Sequence, residues 1–232
     1  MMNKHSALLL LCVLVFTISC SSSQKKNSVS ITGASSGLIK NSSMSFPLYL
    51  TATNESRNDI VAKTSPDVFI IHTGHILKIG QTKEQNMAAL EALTGKGIDV
   101  VNLSIEDFII ADQQGILFEK YPQRFLNSSV VDLNEDNIVT KPNITPYVIH
   151  DGVALIGISD NNLDKLLTMD KFLVSDYVLA VLRARKLALK DTAANSTPAI
   201  PLSAFVIVHT IGSEINEVME RLPPNFINSL AD

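Results

Sequence analysis

The chain has 232 residues, 46% of them hydrophobic, and its 19 Lys and Arg against 23 Asp and Glu leave a formal net charge of -4 at pH 7. With no basic run, a nucleic-acid partner is not expected. Its only two cysteines are Cys12 and Cys20, so no disulfide framework or thiol chemistry is available to the rest of the chain.

Lys4 and His5 precede an apolar stretch, Ala7 to Ile18. It has the length of a signal-peptide core and falls short of the roughly 20 apolar residues that span a bilayer. It ends in Thr17-Ile18-Ser19-Cys20, which resembles a lipobox. Residues 1–19 are therefore expected to be a lipoprotein signal, with lipidation (palmitate) at Cys20. Residues 20–27, with Ser21-Ser22-Ser23-Gln24-Lys25-Lys26, read as a lipidated tether. Residues 28–232 read as one domain. Ser21 after the cysteine suggests the outer membrane of a Gram-negative cell envelope.

Within the domain, short apolar runs alternate with helical patterns, the mark of an α/β fold. Strands are expected at Ser28 to Thr32, Val68 to Ile71, Val100 to Leu103, Tyr147 to His150, Ala154 to Ser159 and Ala204 to Val208. Helices are expected near Lys83 to Leu93, Ser175 to Lys190 and Ser213 to Arg221. Gly95 and Gly97 close the first of these, and Ser175 or Asp176 caps the second. Asp151-Gly152 between two apolar runs reads as a hairpin turn, so the sheet is mixed. Lys190 to Pro201 reads as an exposed loop.

Ligand sites in such sheets lie beyond the carboxyl ends of the strands. There the sequence places Gly33-Ala34-Ser35-Ser36-Gly37, His72-Thr73-Gly74-His75, Ser104-Ile105-Glu106-Asp107, Asp160 and His209-Thr210. His75, with His72, Glu106, Asp107 and His209 around it, is a candidate metal site. Its imidazole and carboxylate donors suit zinc, manganese or iron. The competing reading makes these groups polar caps of strand ends. Arg183, Arg185, Lys186 and Lys190 read as a solvated helix face, and Tyr49, Tyr121 and Tyr147 as partly buried tyrosines.

The order and spacing of these segments resemble the calcineurin-like metallophosphoesterases, most closely the N-terminal domain of bacterial 5′-nucleotidases. The resemblance runs in register over most of the domain. In that family successive strands end in Asn-Asp-x-His-Gly, Asp-Ala-Gly-Asp, Gly-Asn-His-Glu-Phe and Ser-His-x-Gly. Here those places hold Gly33 to Gly37, His72 to His75, Ser104 to Phe108 and His209 to Gly212, flanked by Ser65-Pro66-Asp67-Val68, Gly97-Ile98-Asp99-Val100 and Ile156-Gly157-Ile158. The resemblance implies layered mixed β-sheets flanked by helices. It also implies loss of most metal ligands: Ala34 and Ser36 replace the first aspartate and histidine, His75 the bridging aspartate, Ile105 and Glu106 the asparagine and catalytic histidine, and Thr210 the later histidine.

A two-metal phosphoesterase needs these groups to activate water and clamp phosphate. The expectation is thus a non-catalytic binding or assembly protein of the envelope, a pseudoenzyme without a cofactor. The alternative is a metal-dependent phosphoesterase with a site rebuilt around His75. A redox or metal carrier using His72 and His75 ranks third. Asp232 falls near where the family's Gly-His-x-His motif begins, so a truncated family domain is expected, with an open sheet edge completed by an envelope protein or a second copy.

Overall fold

Runs such as Phe69-Ile70-Ile71 and Phe205-Val206-Ile207-Val208 are apolar at every position, as strands covered on both faces must be. The computed structural model describes residues 28–32, 37–39, 44–53, 55–135, 137–159, 171–195, 202, 204–209 and 220–222. The expected signal, tether and Cys20 lie outside them, as do Ala34, Ser36, Asp160, Thr210 and most of the helix expected at 213–221.

A six-stranded sheet runs in the order β2 (Gly37–Ile39), β3 (Leu48–Thr51), β4 (Phe69–His72), β5 (Val100–Asn102), β6 (Arg124–Leu126) and β9 (Ile144–Thr145), parallel except for the β2 edge. A four-stranded sheet has the order β1 (Ser28–Thr32), β13 (Ala204–His209), β11 (Val153–Ile158) and β10 (Tyr147–His150). Its first three strands are parallel and β10 is antiparallel. The strands β12 (Phe172–Val174), β7 (Val130–Asp132) and β8 (Asn137–Ile138) make a small antiparallel sheet.

The larger sheets pack face to face. Leu48, Leu50, Phe69, Ile71, Val100 and Leu126 from one meet Val153, Leu155, Ala204, Val206 and Val208 from the other. Alternate residues of the same strands point outward. On the six-stranded sheet Ile70, Val101 and Phe125 pack with helices α2 (Lys83–Gly95) and α3 (Ile105–Gln114) through Leu90, Leu93, Phe108 and Ile109. On the other sheet Ala154, Ile156, Ile158, Phe205 and Ile207 meet Val181, Ala184 and Ala188 of α4 (Tyr177–Asn195). The result is four layers, helix–sheet–sheet–helix, with the short α1 (Arg57–Lys63) preceding β4. Each fully buried side chain such as Phe125 or Phe205 contributes about 1.5–3 kcal/mol.

Helix starts follow local chemistry. Thr82 with Gln85, and Ser104 with Asp107, form reciprocal capping boxes, and Asp176 accepts the N–H of Leu179 at the start of α4. Asp151 and Gly152 adopt φ of 45° and 75°, the left-handed pair that a tight hairpin requires.

The six expected strands are present with their ends shifted by a residue or so. Two expectations need correction. Helix α4 continues to Asn195, so the first half of the segment read as a loop is helical. Arg185 leaves the solvated face: its guanidinium lies 5.7 Å from the Phe205 ring.

Candidate functional site

The parallel strands β3 to β6 deliver their carboxyl ends to one rim of the six-stranded sheet. Beyond β4 the chain turns sharply, with φ of 96° at Gly74 and 55° at His75. A side chain in this left-handed region is strained by roughly 1–2 kcal/mol and persists only where the surroundings impose it. Here they do. Oδ1 of Asp107 accepts the N–H groups of Ile76 (2.8 Å) and Leu77 (2.9 Å). Oδ2 accepts those of His75 (3.0 Å) and Ser104 (2.9 Å), and the Ser104 hydroxyl (2.8 Å). The next amide, Lys78, donates to Asn86 Oδ1 at 2.9 Å. Successive amides of the β4 loop are thus held from two helices, and Ile76 and Leu77 are buried beneath it.

Asp107 has no exposed surface. Burial raises its carboxyl pKa above the ordinary value, opposed by the Leu77 and Ser104 donors and the nearby His75. With five donors on two oxygens, its acceptor capacity is spent on the loop and on its own helix cap.

His75 and Glu106 are what this arrangement presents outward. His75 Nδ1 stands 3.5 Å from Glu106 Oε2, with the two side chains 37% and 16% exposed. Glu106 occupies the first turn of α3, where the helix dipole favours an anion. Such a pair can exchange a proton or bind a cation as two ligands.

The other candidate positions lie elsewhere. His72 pairs across the sheet with Val101 and so faces the α2–α3 layer. It is buried, and its Nδ1 accepts the Gly74 N–H at 3.2 Å. Burial, and then the charges of Lys78, Lys96 and His75, lower its pKa to about 4. His209 pairs with Ile158 and faces the α4 layer. The two sheets therefore separate His72 from His209. The fold brings the His75 and Glu106 side chains together beside Asp107, whose oxygens are taken by the amides of the loop. His72 lies near enough for the His75 charge to lower its pKa but spends Nδ1 on the Gly74 N–H, and His209 belongs to the other sheet. Ile105 is fully buried in the α2–α3 core, where its alkyl group offers no donor atom. Among the described residues no three His, Cys, Asp or Glu side chains gather as a metal site would need, so these residues do not fit a two-metal centre.

A polar seam went unread in the sequence. It stitches the two sheets together under the same rim. Ser128 Oγ donates to the Gly157 carbonyl (2.5 Å), Ser159 Oγ to the Leu103 carbonyl (2.5 Å), and Asn102 Nδ2 to the Ile158 carbonyl (3.2 Å). Ser159 N donates to Ser129 Oγ at 2.8 Å. All are fully buried. Gly157 permits the close approach, since a Cβ there would lie 2.2 Å from Asn102 Oδ1 and 2.6 Å from Leu126 Cγ. A cavity of about 360 Å³ bounded by Leu38, Met44, Phe46, Pro47 and Thr64 opens near the opposite, amino ends of β3 and β4.

No protein-family model and no curated protein matches the chain. Among solved structures it is similar to the sulfate thiohydrolase SoxB of Thermus thermophilus in complex with glycerol, with TM-score 0.53 and 14% identity over 71% of this chain and 30% of that one. A second is the NAD nucleotidase NadN of Haemophilus influenzae, with TM-score 0.49 and 16% identity over 83% of this chain and 35% of that one. The chain thus spans about a third of the length of either protein. The likeness is one of fold, and that fold is metallophosphoesterase-like, as the sequence resemblance implied.

Proposed function

We propose that this protein uses a phosphoesterase-type scaffold for binding or assembly at the cell envelope rather than for hydrolysis. The observation that carries this reading is Asp107, whose carboxylate is committed to the amides of His75, Ile76 and Leu77. At the rim beyond the carboxyl ends of the strands an acidic side chain thus serves as a structural clamp, and the neighbouring Ile105, which stands where the resemblance places a metal-binding asparagine, belongs to the core. In this reading the domain is residues 28–232, held to a membrane by lipid on Cys20, and its partner is another envelope protein or a second copy of itself.

The test is hydrolysis of nitrophenyl phosphates and nucleotides by the full chain supplied with manganese, zinc or cobalt. Turnover no faster than buffer is expected. Metal-dependent turnover that His75→Ala removes would overturn the proposal. It would favour the second reading, a phosphoesterase with a rebuilt site, for which the His75–Glu106 pair is the supporting observation.

A further inference from the structure

Helix α4 packs on the outer face of the four-stranded sheet through Val181, Ala184 and Ala188, all fully buried. Its opposite side carries Leu179, Arg183, Lys186, Leu187 and Lys190. At about 100° per residue these five fall within an arc of roughly 100°, and all are exposed. The leucines stand outside the core, at 55% and 41% exposure. The helix's acidic residues do not neutralise the stripe, because Asp176 pairs with Arg221 at 2.7 Å and Asp191 accepts the Tyr147 hydroxyl. Among the described residues no ion pair engages Arg183, Lys186 or Lys190. Arg183, whose Nε donates to the Leu179 carbonyl, and Lys186 and Lys190, flanked by two exposed leucines on a chain of net charge -4, form a local basic surface suited to an anionic interface.

A second observation says what that interface is. Strand β1 begins at Ser28 and is hydrogen-bonded to β13 in the sheet that α4 covers. Cys20 lies eight positions earlier in the chain, a span of at most about 29 Å fully extended. A lipid on that cysteine holds this sheet, and so α4, close to the bilayer.

We propose that the outward face of α4, through Arg183, Lys186, Lys190, Leu179 and Leu187, docks on the anionic phospholipid headgroups of the membrane to which the chain is tethered. The proposal rests on the reading of Cys20 as lipidated. The basic residues supply attraction to the headgroups, and the leucines enter the boundary between headgroups and acyl chains.

The experiment uses the full chain, expressed with its lipid and reconstituted into vesicles of phosphatidylcholine alone or with a third phosphatidylglycerol. With Cys12 removed and Cys20 acylated, Leu187→Cys or Gln113→Cys introduces a single thiol for a spin label, Gln113 being exposed on α3 in the opposite outer layer. Relaxation by a lipid-bound nickel chelate is then measured. The label at 187 is expected to relax several-fold faster than that at 113 in anionic vesicles. The difference should vanish at about 0.5 M salt and in Arg183→Glu/Lys186→Glu/Lys190→Glu, whose folding is checked by circular dichroism. Equal relaxation at the two positions, or the same difference in purely zwitterionic vesicles, would overturn the proposal.

Failure of the lipidation reading is seen separately, as free thiols at the native cysteines and no added lipid mass. In that case sedimentation of the same chain with anionic vesicles decides. A loss of about 100-fold in affinity for the triple variant supports the face, and unchanged affinity rejects it.

Discussion

The backbone nitrogen of His75 lies 3.0 Å from Oδ2 of Asp107, a residue 32 positions further along the chain. Through this bond and its two neighbours, the first turn of α3 dictates the shape of the loop after β4. Asp107→Asn replaces one acceptor oxygen by an NH2 group facing amide donors. A loss of about 3 kcal/mol or more in stability is expected by urea denaturation. Ser104→Ala, which removes the cap but leaves the carboxylate, should cost about 1 kcal/mol. A change under about 0.5 kcal/mol for Asp107→Asn would show that the loop does not depend on the clamp.

The left-handed conformation of His75 predicts an ordering of variants. His75→Gly relieves the backbone strain and His75→Ala keeps it, so the glycine variant should be the more stable by about 1 kcal/mol. Equal melting behaviour of the two would contradict the φ of 55° at this position.

His72 gives the fold a pH dependence. Its value near 4 in the folded state lies below the ordinary 6.5, so between those values the unfolded chain binds a proton that the folded chain does not. Its contribution is therefore complete above about pH 6.5 and is lost as pH falls toward 4, by about 3 kcal/mol. Protonation would also remove the acceptor used by the Gly74 N–H. His72→Asn keeps an acceptor at the δ position and cannot titrate, so the loss of stability toward pH 4 should be smaller in this variant than in the wild type by about that amount. The same pH dependence of stability in wild type and His72→Asn between 4 and 6.5 would exclude this account.

Gly157 marks the closest approach of the two sheets. Gly157→Ala places a methyl group against Asn102 and Leu126 and should destabilise the fold by about 1–3 kcal/mol. Asn102→Ala in the same chain should recover part of that loss, since the Leu126 contact remains. Full tolerance of Gly157→Ala would mean that the sheets can separate at no cost.

Strands buried on both faces, such as β4, β11 and β13, were legible because burial leaves an unbroken apolar run up to their last residue. Helix α4 was legible through its Asp176 cap, and the β10–β11 turn through Asp151-Gly152. Helix α3 is not among the expected elements, although Ser104-x-x-Asp107 is a capping signature, because Ser104 to Phe108 also fits a motif at a strand end. Strand β3 was missed because a run as short as Leu48–Thr51 after Pro47 shows no period. The rim of the site was legible only in part. Parity within a strand puts His72 with Ile70 and His209 with Ile207, but which face of each strand meets the other sheet depends on contacts between residues far apart in sequence. The outward His75–Glu106 pair was within the candidate set, and the use of Asp107 as an acceptor for backbone amides and for Ser104 is what the competing reading of these groups as polar caps expects.

The measurement that bears most directly on the proposed loss of catalysis is the metal content of the full chain, purified without a histidine tag and incubated with manganese and zinc, by elemental mass spectrometry. The account predicts well under one equivalent of either metal, unchanged by His75→Ala. Near-stoichiometric metal that disappears in His75→Ala and in Glu106→Gln would contradict it and establish a rebuilt centre at the carboxyl ends of β4 and β5.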